Sequence, residues 1–243
     1  MISLSRSGAL GYLVRRIGFA LRPVPRLWSA VETALRDRDG IEIAGPTRAF
    51  DADGPLPVYP VIRSLENYGF HASDQTFEFS GRIGRSHRCD ATSLPRGDES
   101  CDFVLSSHVL EHLADPLRAL REWRRVLRPG GHLFLLLPHG ARTFDHRRPV
   151  TEWSHLMADF EGQTPETDRT HVDDCLRLTD TNHWSFVSSE DVHSLFDTNV
   201  ESRNVHHHVF DLALAQKAVA FAGFRILTAQ LVFPFHIVVF AVK

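Results

Sequence analysis

Lysine is nearly missing from this chain: Lys217 and Lys243 are its only two, both towards the end. The other basic side chains are arginines. Chemistry that needs a lysine in the body of a fold is therefore excluded, such as a Walker-type phosphate loop or the Tyr-Lys pair of a dehydrogenase. Cysteine is sparse too. Cys89, Cys101 and Cys175 are odd in number and show no Cys-x-x-Cys spacing. That excludes a disulfide framework and a cysteine-rich zinc site, and it fits a reducing, cytoplasmic setting. Charge of one sign is lacking as well. The formal net charge of −3 gives no general attraction to nucleic acid. No apolar run is long enough to span a bilayer. There is no internal repeat and no low-complexity tract.

What the chain does have is apolar content, 43% over 243 residues, enough for one large α/β domain. Residues 1–39 read as a helical extension. Leu10, Leu13, Val14, Ile17 and Leu21 recur at helical spacing beside Arg15, Arg16, Arg22 and Arg26. The favoured reading is a helix docked on the domain with its arginines in water. The alternative is a basic amphipathic helix over residues 1–26 making peripheral contact with an anionic membrane. Pro23 and Pro25 end it, and a second short helix is expected over Leu27–Leu35.

Residues 40–243 form the main domain. Expected strands are Ile41–Ala44, Tyr59–Leu65, Ser86–Cys89 and Asp102–Ser106. Asp115 and Pro116 then give a helix N-cap and a first helical residue. Leu117, Leu120 and Leu127 give its apolar stripe, and Pro129-Gly130-Gly131 stop it. His132–Leu137, apolar nearly throughout, reads as a strand covered on both faces. Two buried strands joined by one helix imply a right-handed parallel crossover. Residues 139–209 carry His, Asp, Arg and Thr without a long periodic element, as a substrate-covering insertion would. Asp211 caps a last helix, and Phe224–Leu231 and Phe235–Val242 close the sheet as an antiparallel pair.

Three places carry chemistry before that insertion. Glu42-Ile-Ala-Gly45-Pro46-Thr47 joins a strand to a Gly/Pro-rich loop, which suits close approach of a ligand to the backbone. Asp90-Ala91-Thr92 ends the third strand, where a carboxylate can accept from an adenine amino group. His108-Val-Leu-Glu111-His112 matches an inverted zincin pattern, but that motif needs a long helix and here it follows a buried strand. Ser106, Ser107 and His108 are therefore read as cofactor-facing, with Glu111 and His112 fixing the loop.

These blocks, together with Arg125-Val-Leu-Arg-Pro-Gly-Gly, resemble the class I S-adenosylmethionine-dependent methyltransferases, in particular their ubiquinone-biosynthesis-like branch, over about residues 40–138. The resemblance implies a Rossmann-like, doubly wound α/β sheet of seven strands, mostly parallel with an antiparallel last strand. It implies S-adenosylmethionine as cofactor and a small-molecule acceptor. It places Glu42, Gly45, Pro46 and Thr47 in the methionine-side loop, Asp90 and Ala91 at the adenine, and Ser106, Ser107 and His108 facing the methyl group. Glu66 is the candidate acid for the ribose. The family pattern Glu/Asp-x-Gly-x-Gly-x-Gly is kept only in part. The chain instead is similar to a variant subgroup reading Glu-Ile-Gly-Gly-Pro-Ser, loosely associated with bacterial cell-surface glycan genes.

The histidine blocks are the most distinctive feature. Phe144-Asp145-His146-Arg147-Arg148-Pro149 gathers an acid, a base and two guanidiniums. Val205-His206-His207-His208-Val209 precedes the last helix, and His139 follows the fifth strand. Methyl transfer to a hydroxyl, a sugar hydroxyl by preference, needs alignment and a proton acceptor. His146 oriented by Asp145 is the expected base, His207 its alternative, and His139 a further candidate. Arg147, Arg148, His206 and His208 are expected to hold substrate. His155, His183 and His193 are read as ordinary solvated or core histidines. No metal is expected; an ion held by the histidine blocks and Asp145 is the lesser alternative. The rival functions are a catalytically inactive methyltransferase fold used as a binding module and, last, a nicotinamide-dependent oxidoreductase, which would need a G-x-G-x-x-G loop.

Overall fold

A computed structural model of the chain describes residues 25–180 and 197–243. The amphipathic stretch before Pro25, His183 and His193 lie outside the described residues.

The strands, in chain order, are β1 (Asp39–Ile43), β2 (Ser64–Gly69), β3 (Thr76–Phe79), β4 (Arg82–Arg88), β5 (Cys101–Ser107), β6 (Leu127–Pro138), β7 (Arg225–Val232) and β8 (His236–Val242). The helices are α1 (Pro25–Leu35), α2 (Pro116–Val126), α3 (Trp153–Gly162), α4 (Val172–Leu178), α5 (Asn199–Ser202) and α6 (Leu212–Phe221). All strands join one sheet in the order β3-β4-β2-β1-β5-β6-β8-β7. Strands β4, β2, β1, β5 and β6 are mutually parallel. β8 runs antiparallel to both neighbours. This is the expected doubly wound sheet with an antiparallel closing strand.

One strand more is present than expected. β3 folds back on β4 through Ser80 and Gly81, both at positive φ (45° and 73°), as a two-residue primed turn requires. β3 thereby occupies the β4 edge of the sheet. A second difference concerns β2, expected at Tyr59–Leu65 and found at Ser64–Gly69. The apolar run Val58, Tyr59 and Ile62 is a buried loop on one face of the sheet, not a strand. The true strand hides behind polar residues whose partners are distant. Glu66 pairs with Arg96, and Asn67 donates to Ser86.

Side-chain alternation along β6 splits the core into two layers. Leu133, Leu135 and Leu137 face α2, α6 and the cap, whereas Phe134 and Leu136 face α1 and the loop around Phe50 and Tyr59. Leu27, Val31 and Leu35 of α1 are fully buried in the second layer, each contributing about 1.5–3 kcal/mol by burial. The carboxyl end of the extension 1–39 is thus built into the core. α2 begins as its sequence demands. Asp115 accepts from the Arg118 amide, Pro116 opens the helix, and Trp123 adds to the apolar stripe while donating to the Ala91 carbonyl. Asp211 caps α6 in the same way, accepting from the Leu214 amide. The insertion 139–209 holds the short helices α3, α4 and α5, in keeping with the expected lack of a long periodic element. Among the described residues, no helix is long and apolar enough to cross a membrane.

Candidate active site

The parallel strands bring four loops to one sheet edge, and between them lies a cavity of about 420 Å³. Its walls come from Ala44-Gly45-Pro46 after β1, Gly69-Phe70-His71 after β2, Asp90-Ala91 after β4, and His108-Val109 with His112 after β5. Ser202, Arg203 and Asn204 of the cap close it. Ligands of open α/β sheets bind at such carboxyl ends.

Beneath the first loop sits Glu42, fully buried. The Tyr59 hydroxyl donates to its Oε2 (2.5 Å), and the Thr47 amide lies 3.2 Å from its Oε1. Burial nevertheless pushes the Glu42 carboxyl up to about 8. A Cβ on Gly45 would lie 2.1 Å from the Glu42 Cδ, so glycine is required there. The Gly45 amide donates to Asn67 Oδ1 (2.7 Å), and the Asn67 amide donates to Ser86 Oγ (3.1 Å), tying β1, β2 and β4 together under the cavity. Ala44 sits at φ 55°, a conformation that favours glycine.

Asp90 uses Oδ1 to accept from the Thr92 amide and hydroxyl, which leaves Oδ2 towards the cavity, 3.8 Å from the Arg203 guanidinium. Arg203 pairs with Glu166 and lies 4.3 Å above the Phe70 ring, and the carbonyl of Ser202 meets His71 Nε2 at 2.8 Å. These contacts hold the cap on the cavity. On the opposite wall His108, at φ 56°, shares a ring hydrogen bond with His236 (2.9 Å). Burial, then the neighbouring His236, draws the His108 imidazole down to about 3.

Behind His112 lies a buried acid–histidine group. Asp145 Oδ2 accepts from His206 Nδ1 (2.5 Å), and Asp145 Oδ1 accepts from Arg148 (2.9 Å). Burial opposes ionisation of Asp145, but His206 and Arg148 outweigh it and hold the carboxyl below its usual range. The other ring nitrogen of His206, Nε2, lies 4.0 Å from Glu111 Oε1. Glu111 is fully buried, and neither of its carboxylate oxygens has a hydrogen-bond partner. Burial raises it to about 7. The His112 and His206 ring centroids are 4.5 Å apart.

Comparison with known proteins bears on this geometry. A family model described as "Methyltransferase domain" matches residues 66–135, which span β2 to β6 and most of the cavity wall. An uncharacterized methyltransferase of Mycobacterium sp. (strain KMS) is 54% identical over 48 residues, 20% of this chain and 19% of that protein. A ubiquinone biosynthesis O-methyltransferase of Parvibaculum lavamentivorans is 32% identical over 74 residues, 30% of this chain and 27% of that protein. The matches thus span less than a third of those relatives' length. A solved S-adenosylmethionine dependent methyltransferase of Mesorhizobium loti shares the fold at TM-score 0.52 and 14% identity, over 93% of this chain and all of that one.

Residues 66–135 match a methyltransferase domain, in a chain that has the fold of S-adenosylmethionine-dependent methyltransferases.

The residues expected at the cofactor fall into two groups. Gly45, Pro46, Asp90, Ala91 and His108 line the cavity. Glu42 and Thr47 support the loop from below, Ser106 is fully buried within β5 with its hydroxyl unpaired, and Ser107 is half-buried beside it. Glu66 requires correction. It lies inside β2, accepts from the Tyr68 hydroxyl (2.6 Å) and pairs with Arg96 (2.7 Å), so it does not follow the strand. The positions that do follow it, Phe70 and His71, carry no acid. The cavity fits an adenosyl-methionine group in other respects: the side-chain-free approach at Gly45, the apolar faces of Phe70 and Leu113, and the outward oxygen of Asp90.

The histidine blocks are rewired relative to expectation. Asp145 orients His206, not His146. His146 instead faces the Thr143 carbonyl (Nδ1, 3.1 Å) and Asp180 (Nε2, 3.6 Å). Arg148 was expected on substrate. It is buried and donates to Asp145 and to the carbonyls of His206 and His207, so it holds the histidine segment. Arg147 is half exposed and pairs with Asp180. His207 Nε2 accepts from the Asn199 side-chain amide (3.2 Å), and burial brings its imidazole down to about 4. His139 leads a short turn with its Nδ1 buried and unpaired. His208 packs away from His206, near His155 and His171. Asn67, Tyr59, Phe70 and Arg203 went unrecognised, because each earns its place through a residue distant in sequence.

Proposed function

We propose that the chain transfers the methyl group of S-adenosylmethionine to an oxygen of a small-molecule acceptor, with a sugar hydroxyl as the preferred class and His206 as the base. The observation that carries this reading is the Asp145–His206 pair at 2.5 Å, one ring behind the cavity wall. The Parvibaculum relative, an O-methyltransferase by name, supports oxygen as the acceptor atom.

When bound, the cofactor supplies an electrophilic methyl group. The protein's part is alignment, exclusion of water and removal of one proton. Asp145 fixes the His206 ring and its tautomer, so the Nε2 lone pair is directed away from Asp145 and towards the His112 side. An acceptor hydroxyl there would give its proton to Nε2, leaving an oxygen nucleophile. Arg203 and Phe70 cover the other end of the cavity, and Asp90 offers Oδ2 to an amino group.

The test is methyl transfer to a panel of glycosides and phenols, followed by release of S-adenosylhomocysteine. His206→Asn is expected to lower kcat by about 10²–10⁴ while leaving cofactor affinity in place. Full activity in that variant would remove His206 from the reading. No transfer to any acceptor, with cofactor still bound, would favour a binding module.

A further inference from the structure

A second cluster takes no part in the reading above. His155 and Asp159 stand one turn apart on α3, His171 directly precedes α4, and His208 closes the histidine block. His155 Nε2 lies 2.8 Å from His171 Nε2 and 3.3 Å from Asp159 Oδ2. His208 Nε2 lies 3.7 Å from the same oxygen. One donor atom from each of the four falls within 4.8 Å of all the others. Ligands bonded to one ion at about 2.0–2.2 Å sit roughly 3–4 Å from each other, so these side chains converge at the right spacing.

Asp159 gives an independent sign. Its side chain is 9% exposed, and Oδ1 accepts from the Thr164 hydroxyl (3.0 Å). Oδ2 is buried, makes no hydrogen bond and faces His155 and His208. A buried carboxylate oxygen without a donor is costly unless a cation meets it. The Thr164 hydroxyl is the kind of outer partner that orients a ligating carboxylate.

We propose that His155, Asp159, His171 and His208 bind one divalent transition-metal ion of the zinc class. Three imidazoles and one carboxylate suit such an ion, whereas calcium and magnesium prefer all-oxygen sites. The four ligands come from α3, the start of α4 and the segment before α6. The ion is a clip that joins the cap elements. His208 lies two residues beyond His206, so the same clip holds the segment that sets His206 against Asp145. The site stands whether or not His206 is the base.

The test uses the full chain, stripped with a chelator and titrated with zinc chloride by calorimetry, and separately loaded with cobalt(II). The expected result is one zinc per chain and the intense visible band of four-coordinate cobalt. Asp159→Asn and His171→Ala should each weaken zinc binding by more than about tenfold, while Glu111→Gln binds as the unmodified chain does. Absence of saturable binding would overturn the proposal. So would unchanged affinity in Asp159→Asn and His171→Ala, or loss confined to Glu111→Gln, which would put the ion among Glu111, His112 and His206. If the variants fail to fold, the cobalt spectrum of the unmodified chain decides, since a six-coordinate spectrum contradicts the proposed site.

Discussion

Asp145 and His206 are 61 residues apart in sequence and 2.5 Å apart in the fold. Arg148 donates to the second oxygen of Asp145 and to the His206 carbonyl, so acid, histidine and backbone are locked as one buried unit. This places the ionised Asp145 where it sets the His206 tautomer. Asp145→Asn should therefore lower kcat by about 10²–10⁴ with little change in cofactor affinity, read by single-turnover methyl transfer. An effect confined to KM would contradict the orienting role.

Arg148 is expected to act on stability, not on substrate. Its guanidinium is buried against Asp145, and removing it leaves that carboxylate uncompensated. Arg148→Ala should cost about 3–5 kcal/mol in denaturant unfolding. Arg147→Ala, at a half-exposed guanidinium beside the buried Asp180, should cost less, about 1–2 kcal/mol. Equal effects of the two would refute the assignment.

The first loop carries strain that one substitution can relieve. Ala44 holds φ at 55°, whereas glycine adopts this conformation freely. Ala44→Gly should raise stability by about 1 kcal/mol and keep cofactor binding. Gly45→Ala should abolish binding, since its Cβ would meet the Glu42 carboxyl at 2.1 Å. Thermal unfolding with and without S-adenosylhomocysteine reads both.

Glu42 makes stability pH-dependent with a definite sign. Burial raises its carboxyl from 4.5 to about 8, against hydrogen bonds from Tyr59 and Thr47 that pull the other way. The folded state thus holds a proton between those values that the unfolded chain has released. Stability is fully present below the unfolded value and falls as pH rises towards 8, by at most about 1.4 kcal/mol per pH unit. Glu42→Gln should flatten that slope in unfolding curves between pH 5 and 8, as that range is set by the Glu42 shift. Glu111, raised to about 7, contributes a remaining slope of the same sign. An unchanged slope in Glu42→Gln would place Glu42 in its ionised form.

How much of this was legible beforehand follows from how far each signal reaches. The Asp115-Pro116 start of α2 and the Asp211 cap of α6 depend on neighbours in sequence, and both lie where the sequence puts them; β6 holds the expected apolar His132–Leu137 run but begins at Leu127, so Pro129-Gly130-Gly131, expected to stop the helix, lie within the strand. The doubly wound sheet follows from them. β2 does not, because Glu66 and Asn67 tolerate a strand only through Arg96 and Ser86, about 20–30 residues on. The apolar Val58–Ile62 stretch imitates a strand while serving as a core-covering loop. The same limit applies to the site. Asp145 and the histidines were visible as residue types, but local order suggested Asp145 with His146. The fold chose His206, since the segment 205–209 is drawn onto Asp145 through the buried Arg148. Arg203 gave no signal at all, because its partners Phe70, Asp90 and Glu166 come from three separate loops.

The account rests on the cavity at the strand ends being the cofactor site, and calorimetric titration with S-adenosylhomocysteine tests this most directly. Saturable one-to-one binding is expected, weakened by at least about tenfold in Asp90→Ala, where a cavity-facing hydrogen-bond acceptor is lost, and unchanged in Asp145→Asn. Absence of binding at millimolar ligand, or binding indifferent to Asp90, would contradict it.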